Sequence, residues 1–437
     1  MQSQESRVSR PLEVLCVYGA SQTYTSTVFE HLDALRKYSQ QEWSFLDHSK
    51  FDESTLDLSG FDVVVFHYSV RLPFGQISSK GVDKLSAFNG VKLLFIQDEY
   101  DHTNLTKSII RLAGFNLVFT AVPRQSLHFV YPPQEFPGIR FVSNLTGYVP
   151  DELLATIGKF RPPSRRNLLL AYRGRSLPIR YGRMGQEKVD IGRRVKSYCD
   201  SRKIPCDCAW DEASRIYGIH WYRFIGSAKA MLGCESGSNV FDWDGTLQLQ
   251  IDQYRLVNPK ASDEDVYKHV ISGYEIDGLM NQISPRIFEM VAAKTAMVLF
   301  EGTYSGILIP HKHYLPLKKD FSNLDDIVNK LLDAAAVDAL VEQAFLDLIT
   351  SKKYSYKKFV DVVDNEITGV LSQLQKINRS NVRQSLVPDP SITRTPYKSS
   401  PPLPQSAPGW LRNFLLIVWV KIPINFRPYI KRLLRRV

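Results

Sequence analysis

The sequence predicts an α/β fold: two Rossmann-like parallel-sheet domains facing a cleft. Three observations predict it. Short apolar runs bounded by turn residues alternate with helix-length amphipathic segments, the pattern of βαβ units with right-handed crossovers. That pattern stops at Pro162-Pro163-Ser164-Arg165-Arg166 and restarts with Asn167-Leu168-Leu169-Leu170-Ala171-Tyr172. Further on, Ser284 and Pro285 open a helix that feeds the apolar run 296–300. Proline at a first helical position loses no hydrogen bond, so Ser-Pro is a start signal.

Residues 11–165 read as the first domain. Strands are expected at 12–19, 61–68 and 91–96, weaker ones at 117–120 and 139–142, and a helix at about 26–38. Ligands of open parallel sheets bind beyond the carboxyl ends of strands. That rule singles out Gly19, His67, Asp98, Glu99 and Tyr100. Asp98 and Glu99 are the best carboxylate pair for a general base, which a sugar hydroxyl needs if it attacks with inversion. Their plain alternative is an N-cap for the next helix. His67 is a further candidate base, or else a packed histidine.

Residues 166–377 read as the second domain. Its first strand runs into Arg173-Gly174-Arg175, two guanidinium groups able to clamp phosphate oxygens or simply to solvate a turn. A helix is expected at 192–203, and a strand at 228–234 leads into Glu235-Ser236-Gly237-Ser238-Asn239. That loop offers N–H and hydroxyl donors without bulky side chains, the composition of an anion-binding nest. His220 belongs to an aromatic-rich helix against the core. In the helix opened by Ser284, Arg286 and Glu289 stand three apart near an N-terminus that favours phosphate; they can equally pair with each other. Helices follow at 324–332, 337–348 and 358–377.

Residues Arg286, Phe288, Glu289 and Ala292, the strand after them, Thr303-Tyr304-Ser305-Gly306, and the helix start at 321–328 together carry a resemblance. The stretch resembles the donor-binding segment of GT-B glycosyltransferases, both the retaining set and the spore-maturation-type set. The resemblance covers about the last third of the catalytic region. It implies that Glu289 holds the ribose hydroxyls of a nucleotide and that a basic residue after residue 172 meets the pyrophosphate. It also implies that the last helix crosses back to brace the first domain. Two positions depart from the family pattern: Lys294 replaces a usual glycine, and Asn281 stands eight before Glu289 in place of a first carboxylate.

Charge narrows the partners. The chain carries 55 Lys/Arg and 45 Asp/Glu, a net +10. Residues 376–437 hold 12 of the bases and only one acid, Asp389, so residues 1–375 are close to neutral. A nucleic-acid reader needs its positive face on the folded part, so nucleic acid is not an expected partner. Five scattered cysteines make no disulfide framework, and Cys206-Asp207-Cys208 lacks the second ligand pair of a zinc site. With a polar start and no signal-peptide pattern, the expected compartment is the cytoplasm. Residues 378–409, with seven prolines, read as a disordered tether. Residues 410–437 place a seven-residue apolar run beside tryptophans and dense basic flanks, too short to span a bilayer and suited to an anionic membrane surface or a partner helix.

Phe241-Asp242-Trp243-Asp244-Gly245-Thr246-Leu247 copies the first motif of haloacid-dehalogenase-type phosphohydrolases, Asp242 as nucleophile and Asp244 as acid/base. It is preceded by a Gly/Ser loop rather than a full apolar strand, and its plain reading is a tight Asp-Gly turn. The expected function is therefore glycosyl transfer. A sugar passes from a nucleotide-sugar donor to a glycan or lipid-linked acceptor in bacterial surface polysaccharide or lipopolysaccharide synthesis, on the inner face of the cytoplasmic membrane. The donor would bind through Arg173, Arg175, Ser236, Gly237, Ser238, Asn239, Arg286 and Glu289, with no metal required. The alternatives are a metal-dependent phosphohydrolase and a membrane-tethered protein that binds nucleotide sugars or glycans without turnover.

Overall fold

The computed structural model describes residues 10–20, 25–53, 55–155, 160–377, 389 and 391–397. The first sheet has six parallel strands: β1 (Glu13–Tyr18), β2 (Glu42–Asp47), β3 (Val63–Phe66), β4 (Val91–Ile96), β5 (Leu117–Thr120) and β6 (Arg140–Ser143), in the order β2-β1-β3-β4-β5-β6. The second has five: β7 (Leu168–Arg173), β8 (Cys206–Ala209), β9 (Ala228–Gly233), β10 (Ala296–Phe300) and β11 (Leu315–Leu317). Its order from the far edge is β8-β7-β9-β10-β11, again all parallel. Each sheet thus begins on its second strand, steps inward by one and then runs outward. The expected pair of Rossmann-like sheets is present, and each reverses direction between its first and third strands.

Alternation along the strands divides the cores. Leu15 and Val17 of β1 face one layer, while Val14, Cys16 and Tyr18 face the other. Around the first sheet lie the helices α1 (Ser26–Tyr38), α2 (Ser79–Ala87) and α3 (Thr103–Ala113). Around the second lie α4 (Gly182–Arg202), α5 (Ile219–Ile225), α6 (Leu247–Val257), α7 (Pro285–Ala292), α8 (Leu324–Leu332) and α9 (Ala334–Phe345). The last helix, α10 (Tyr356–Ile377), leaves the second sheet and packs Phe359, Val360, Val363 and Ile367 onto the first, beside α1. The bracing helix implied by the resemblance is there.

Three local expectations are corrected, and one departure from the family pattern finds its conformation. The helix expected from 192 begins ten residues earlier, at Gly182, because Met184, Ile191 and Val195 supply an apolar stripe that its glycines obscure. Ser284 is the N-cap of α7 in extended backbone, yet its side chain makes no capping bond; Pro285 at N1 does the starting. Lys294, in place of the family's glycine, still takes the left-handed conformation that glycine would, with φ 49° just past the end of α7. Within the expected tether, the described residues 391–397 are docked, not free: Thr393 pairs antiparallel with Phe45 on the outer edge of β2, with N–H···O distances of 2.7 and 3.0 Å. The remaining tether and the basic tail 410–437 lie outside the described residues. Among the described residues no helix is long and apolar enough to cross a membrane.

Candidate functional site

Both sheets point their reversal points at the same gap. The carboxyl ends of β1, β3 and β4 contribute Thr25, Tyr68, Arg71, Gln97, Asp98 and Asp101. The carboxyl ends of β7 and β9 contribute Arg175, Ser236 and Gly237, joined by Arg180, Tyr181 and Lys188 from the start of α4. Together they enclose a cleft of about 520 Å³, a size suited to a small-molecule ligand. Open parallel sheets bind ligands at such switch points because diverging connections leave a crevice there.

The first-lobe wall is built around Asp98. The Tyr100 hydroxyl donates to Asp98 Oδ1 at 2.8 Å, and Arg71 Nε stands 3.9 Å from Oδ2. The same guanidinium donates to Asp101 at 2.7 Å, and Arg180 reaches Asp101 from the second lobe at 3.1 Å. Asp101 is buried, so one carboxylate ties the two walls together. Asp98 is half exposed and opens into the cleft.

Its sequence neighbour faces the other way. Glu99 is fully buried between β4 and β5, accepting the Thr120 hydroxyl and the Ala121 N–H, while its Oε2 has no partner among the described residues. Burial in an apolar setting raises its pKa to about 7. The candidate pair is therefore split: Asp98 faces the cleft and Glu99 the core. His67 is likewise removed from the cleft. It is buried in the first-lobe core, with Nδ1 on the Ser69 hydroxyl at 2.9 Å and Nε2 on His31 at 3.1 Å. Burial and the neighbouring His31 hold its pKa well below the usual histidine range.

On the second-lobe wall the expected residues also divide. Arg173 is spent within its own lobe: two bonds to Asp207 at 2.8 and 3.0 Å, one to the Ser214 carbonyl, and a stack 4.2 Å over Phe224. Arg175 lines the cleft and has no hydrogen-bond or ion-pair partner among the described residues. Lys188 lines it too; its carbonyl accepts the Tyr172 hydroxyl at 2.7 Å, its ammonium has no partner among the described residues, and burial lowers its pKa. Ser236 exchanges two backbone bonds with Gln282, so its N–H is already used. Gly237 sits at φ 95°, where a Cβ would fall 2.1 Å from the Met280 carbonyl oxygen; only glycine fits. Ser238 and Asn239 turn inward, Ser238 Oγ accepting from Val240 N and Asn239 bonding Met280 N and Asn281.

Arg286 and Glu289 do not pair. They flank Trp221: Arg286 lies 5.4 Å over the indole and donates to the Arg173 carbonyl at 2.6 Å, while Glu289 accepts the indole N–H at 2.7 Å. Pro285 at the head of α7 lines the cleft; Glu289, one turn on, is buried, and burial raises its pKa. Asn281, in the place of the first carboxylate, donates to Glu235, which also accepts Thr303 N, Thr303 Oγ1 and Tyr304 N at 2.7–3.0 Å. Glu235 thereby restrains the loop after β10, where Tyr304 and Ser305 both carry positive φ.

The phosphohydrolase motif has a different job. Asp242 is buried and caps α6 through the Leu247 N–H at 3.2 Å, while its backbone bonds Tyr100 and Thr103 across the lobe junction. Asp244 accepts from Asn104 of α3 at 2.7 Å. The turn joins the lobes, and its two carboxylates do not converge on a shared ligand position.

Arg71, Asp101 and Gln282 were not singled out by sequence. Arg180 and Lys188 belong to a basic run close behind Arg173 and Arg175, a signal the sequence does carry, and both line the cleft.

No family model matches the chain, and no curated protein matches it. Among solved structures it is similar to HepE of Anabaena in complex with UDP and glucose, at 10% identity over 83% of this chain and 100% of that one, TM-score 0.41. It is similar to the DNA-modifying enzyme β-glucosyltransferase, at 11% identity over 84% and 99%, TM-score 0.41. It is also similar to TarM of S. aureus, at 14% identity over 70% of this chain, TM-score 0.36. The last match spans only 54% of TarM's length. These are likenesses of general layout; the chemistry of the cleft follows from its own side chains.

Proposed function

We propose that the protein is a glycosyltransferase that moves a sugar from a nucleotide-sugar donor to a hydroxyl of a glycan or lipid-linked acceptor. One observation carries the reading: two side chains unpaired among the described residues, Arg175 and Lys188, face a carboxylate, Asp98, across a cleft at the switch points of two parallel sheets. The cations suit a diphosphate and the carboxylate suits a hydroxyl proton. In this reading the acceptor oxygen attacks the sugar C1 and the bond from C1 to the diphosphate oxygen breaks. The electron pair leaves with the diphosphate, whose charge Arg175 and Lys188 stabilise. The hydroxyl proton passes to Asp98, held by Tyr100 and Arg71. Glu289 acts by fixing Trp221 and Arg286 at the back of the donor wall. Because protein cations neutralise the leaving group, transfer is proposed to run without added metal. The basic tail supports a finer setting, surface polysaccharide or lipopolysaccharide assembly at the inner face of a bacterial cytoplasmic membrane.

The test is thermal-shift screening of the full chain against a panel of nucleoside diphosphate sugars, repeated on Lys188→Ala and Arg175→Ala. A donor at 100 times its Kd adds about 2.7 kcal/mol of stability. The expected result is a shift with at least one donor that both variants lose. Equal shifts in wild type and variants would rule out this cleft as the donor site.

A further inference from the structure

A run of aromatic contacts starts at the cleft wall, with Phe74 and Phe129 exposed and His102 and Trp243 half-buried. Arg71, which lines the cleft, lies 4.1 Å over the ring of Phe74. Phe74 stands edge-on to His102 at 5.2 Å. His102 packs on Gly245, leaving no room for a Cβ there. Two residues before Gly245, Trp243 meets Phe129 edge-on at 5.8 Å. Phe74 and Phe129 are 44% and 46% exposed, large values for phenylalanine beside a binding cleft. The line crosses the lobe junction, where Asn104 is bonded to Trp243 and Asp244.

The side chains around these rings decide what they suit. Asn104, Thr246 and Gln248 are exposed; Asn104 and Gln248 give their amide N–H to Asp244 and Asp252 and keep an amide oxygen, and Thr246, which accepts from Gln250, keeps a hydroxyl hydrogen. Arg71 is neutralised by Asp101, and Asp244 is held by Asn104. An anionic bilayer needs a surplus of basic side chains, whereas the two ionic groups in contact with this run, Arg71 and Asp244, are each paired. Apolar ring faces interleaved with neutral hydrogen-bonding groups match a ligand with apolar C–H faces and many hydroxyls.

We propose that this track binds an extended neutral oligosaccharide, the acceptor portion remote from the reacting hydroxyl. The inference rests on the glycosyltransferase reading and narrows its acceptor to a glycan of several units. Arg71 to Phe74 is the inner end, and Trp243 with Phe129 the outer end. Remote binding of this kind positions the reacting hydroxyl beside Asp98, and short acceptors lose it.

The experiment titrates the full chain with a panel of neutral hexasaccharides built from glucose, galactose or N-acetylglucosamine. Binding is followed by saturation-transfer NMR and by tryptophan fluorescence. At least one hexasaccharide is expected to bind, with its disaccharide counterpart much weaker. Phe129→Ala and Phe74→Ala are each expected to weaken binding about tenfold, roughly 1.4 kcal/mol. Phe129 is the cleaner variant, since Trp243 also packs on Phe241 in the core. Failure of every hexasaccharide to bind wild type, or equal binding by both variants, overturns the proposal. So does loss in Phe129→Ala of binding to phosphatidylcholine vesicles instead of sugars. The donor thermal shift separates the two readings: its presence without glycan binding sinks only the track, and its absence sinks the donor site.

Discussion

Arg180 of the second lobe stands 3.1 Å from Asp101 of the first, and Asp101 holds Arg71 at 2.7 Å on its other oxygen. The site is thus braced by a buried carboxylate at the cleft wall that sets the position of a guanidinium on each side. Asp101→Asn keeps the shape and removes the charge. Breaking a buried pair costs about 3–5 kcal/mol, whereas exposed pairs are worth at most about 1. Because Arg71 is more than one-third exposed, the expected loss lies between those limits. Urea unfolding of wild type and Asp101→Asn measures it, and a loss below 0.5 kcal/mol would remove the brace from the account (about the spread of ordinary surface changes).

Acid should unfold the first lobe through its histidines. Burial lowers the pKa of His31 to about 3 and holds His67 well below its usual 6.5. The unfolded chain therefore binds more protons, and stability present above pH 6.5 declines as pH falls below it, by up to about 1.4 kcal/mol per unit for each group. Glu99 works in the opposite sense: its raised pKa, about 7, gives stability that is lost as pH rises from its unfolded value through 7. Unfolding free energies from pH 4 to 9 check both limbs. His31→Phe should flatten the acid limb, and Glu99→Gln the other.

The cleft separates binding from proton transfer. Asp98→Asn should lower kcat by about a hundredfold to ten-thousandfold while leaving the donor thermal shift unchanged. Lys188→Ala should lose the donor shift as well. Steady-state rates with the donor found by screening, measured beside the shifts, distinguish the two; an Asp98→Asn enzyme at wild-type rate would remove Asp98 as base.

How much of this was legible in the sequence follows from where each residue's position is decided. The central strands were readable because β1, β3, β4, β9 and β10 are apolar runs buried on both faces. The edge strands β2, β8 and β11 were not: they mix polar residues, span as few as three residues, or contain a proline. In the site, Asp98 and Arg175 were reachable because strand ends face the cleft. Glu99 and Arg173 also sit at strand ends, but the pleat and local partners turn them inward, and one residue of register decides that. Arg71, Asp101 and Arg180 gain meaning only from each other across the lobes, a contact that no local pattern encodes.

Lys294 offers a check on backbone reasoning. At φ 49° a non-glycine residue bears about 1–2 kcal/mol of strain, and its exposed ion pair with Glu342 returns at most about 1. Lys294→Gly should therefore leave the protein as stable or slightly more so by thermal unfolding. A clear loss would show that the side chain matters more than the turn.

The basic tail makes a separate prediction. Ending the chain after Tyr397 should abolish co-sedimentation with vesicles of phosphatidylcholine and phosphatidylserine, and raised salt should weaken the full chain's binding, since each basic residue near the surface contributes about 1 kcal/mol. Unchanged sedimentation of the shortened chain would assign membrane binding elsewhere.

The most direct measurement of the central claim is a crystal structure of the full chain with the nucleoside diphosphate sugar that gives the largest thermal shift. The account predicts the diphosphate oxygens within hydrogen-bond distance of Arg175 and Lys188, and the sugar turned toward Asp98. A nucleotide bound outside the cleft, or in it with Arg175 and Lys188 untouched, would contradict it.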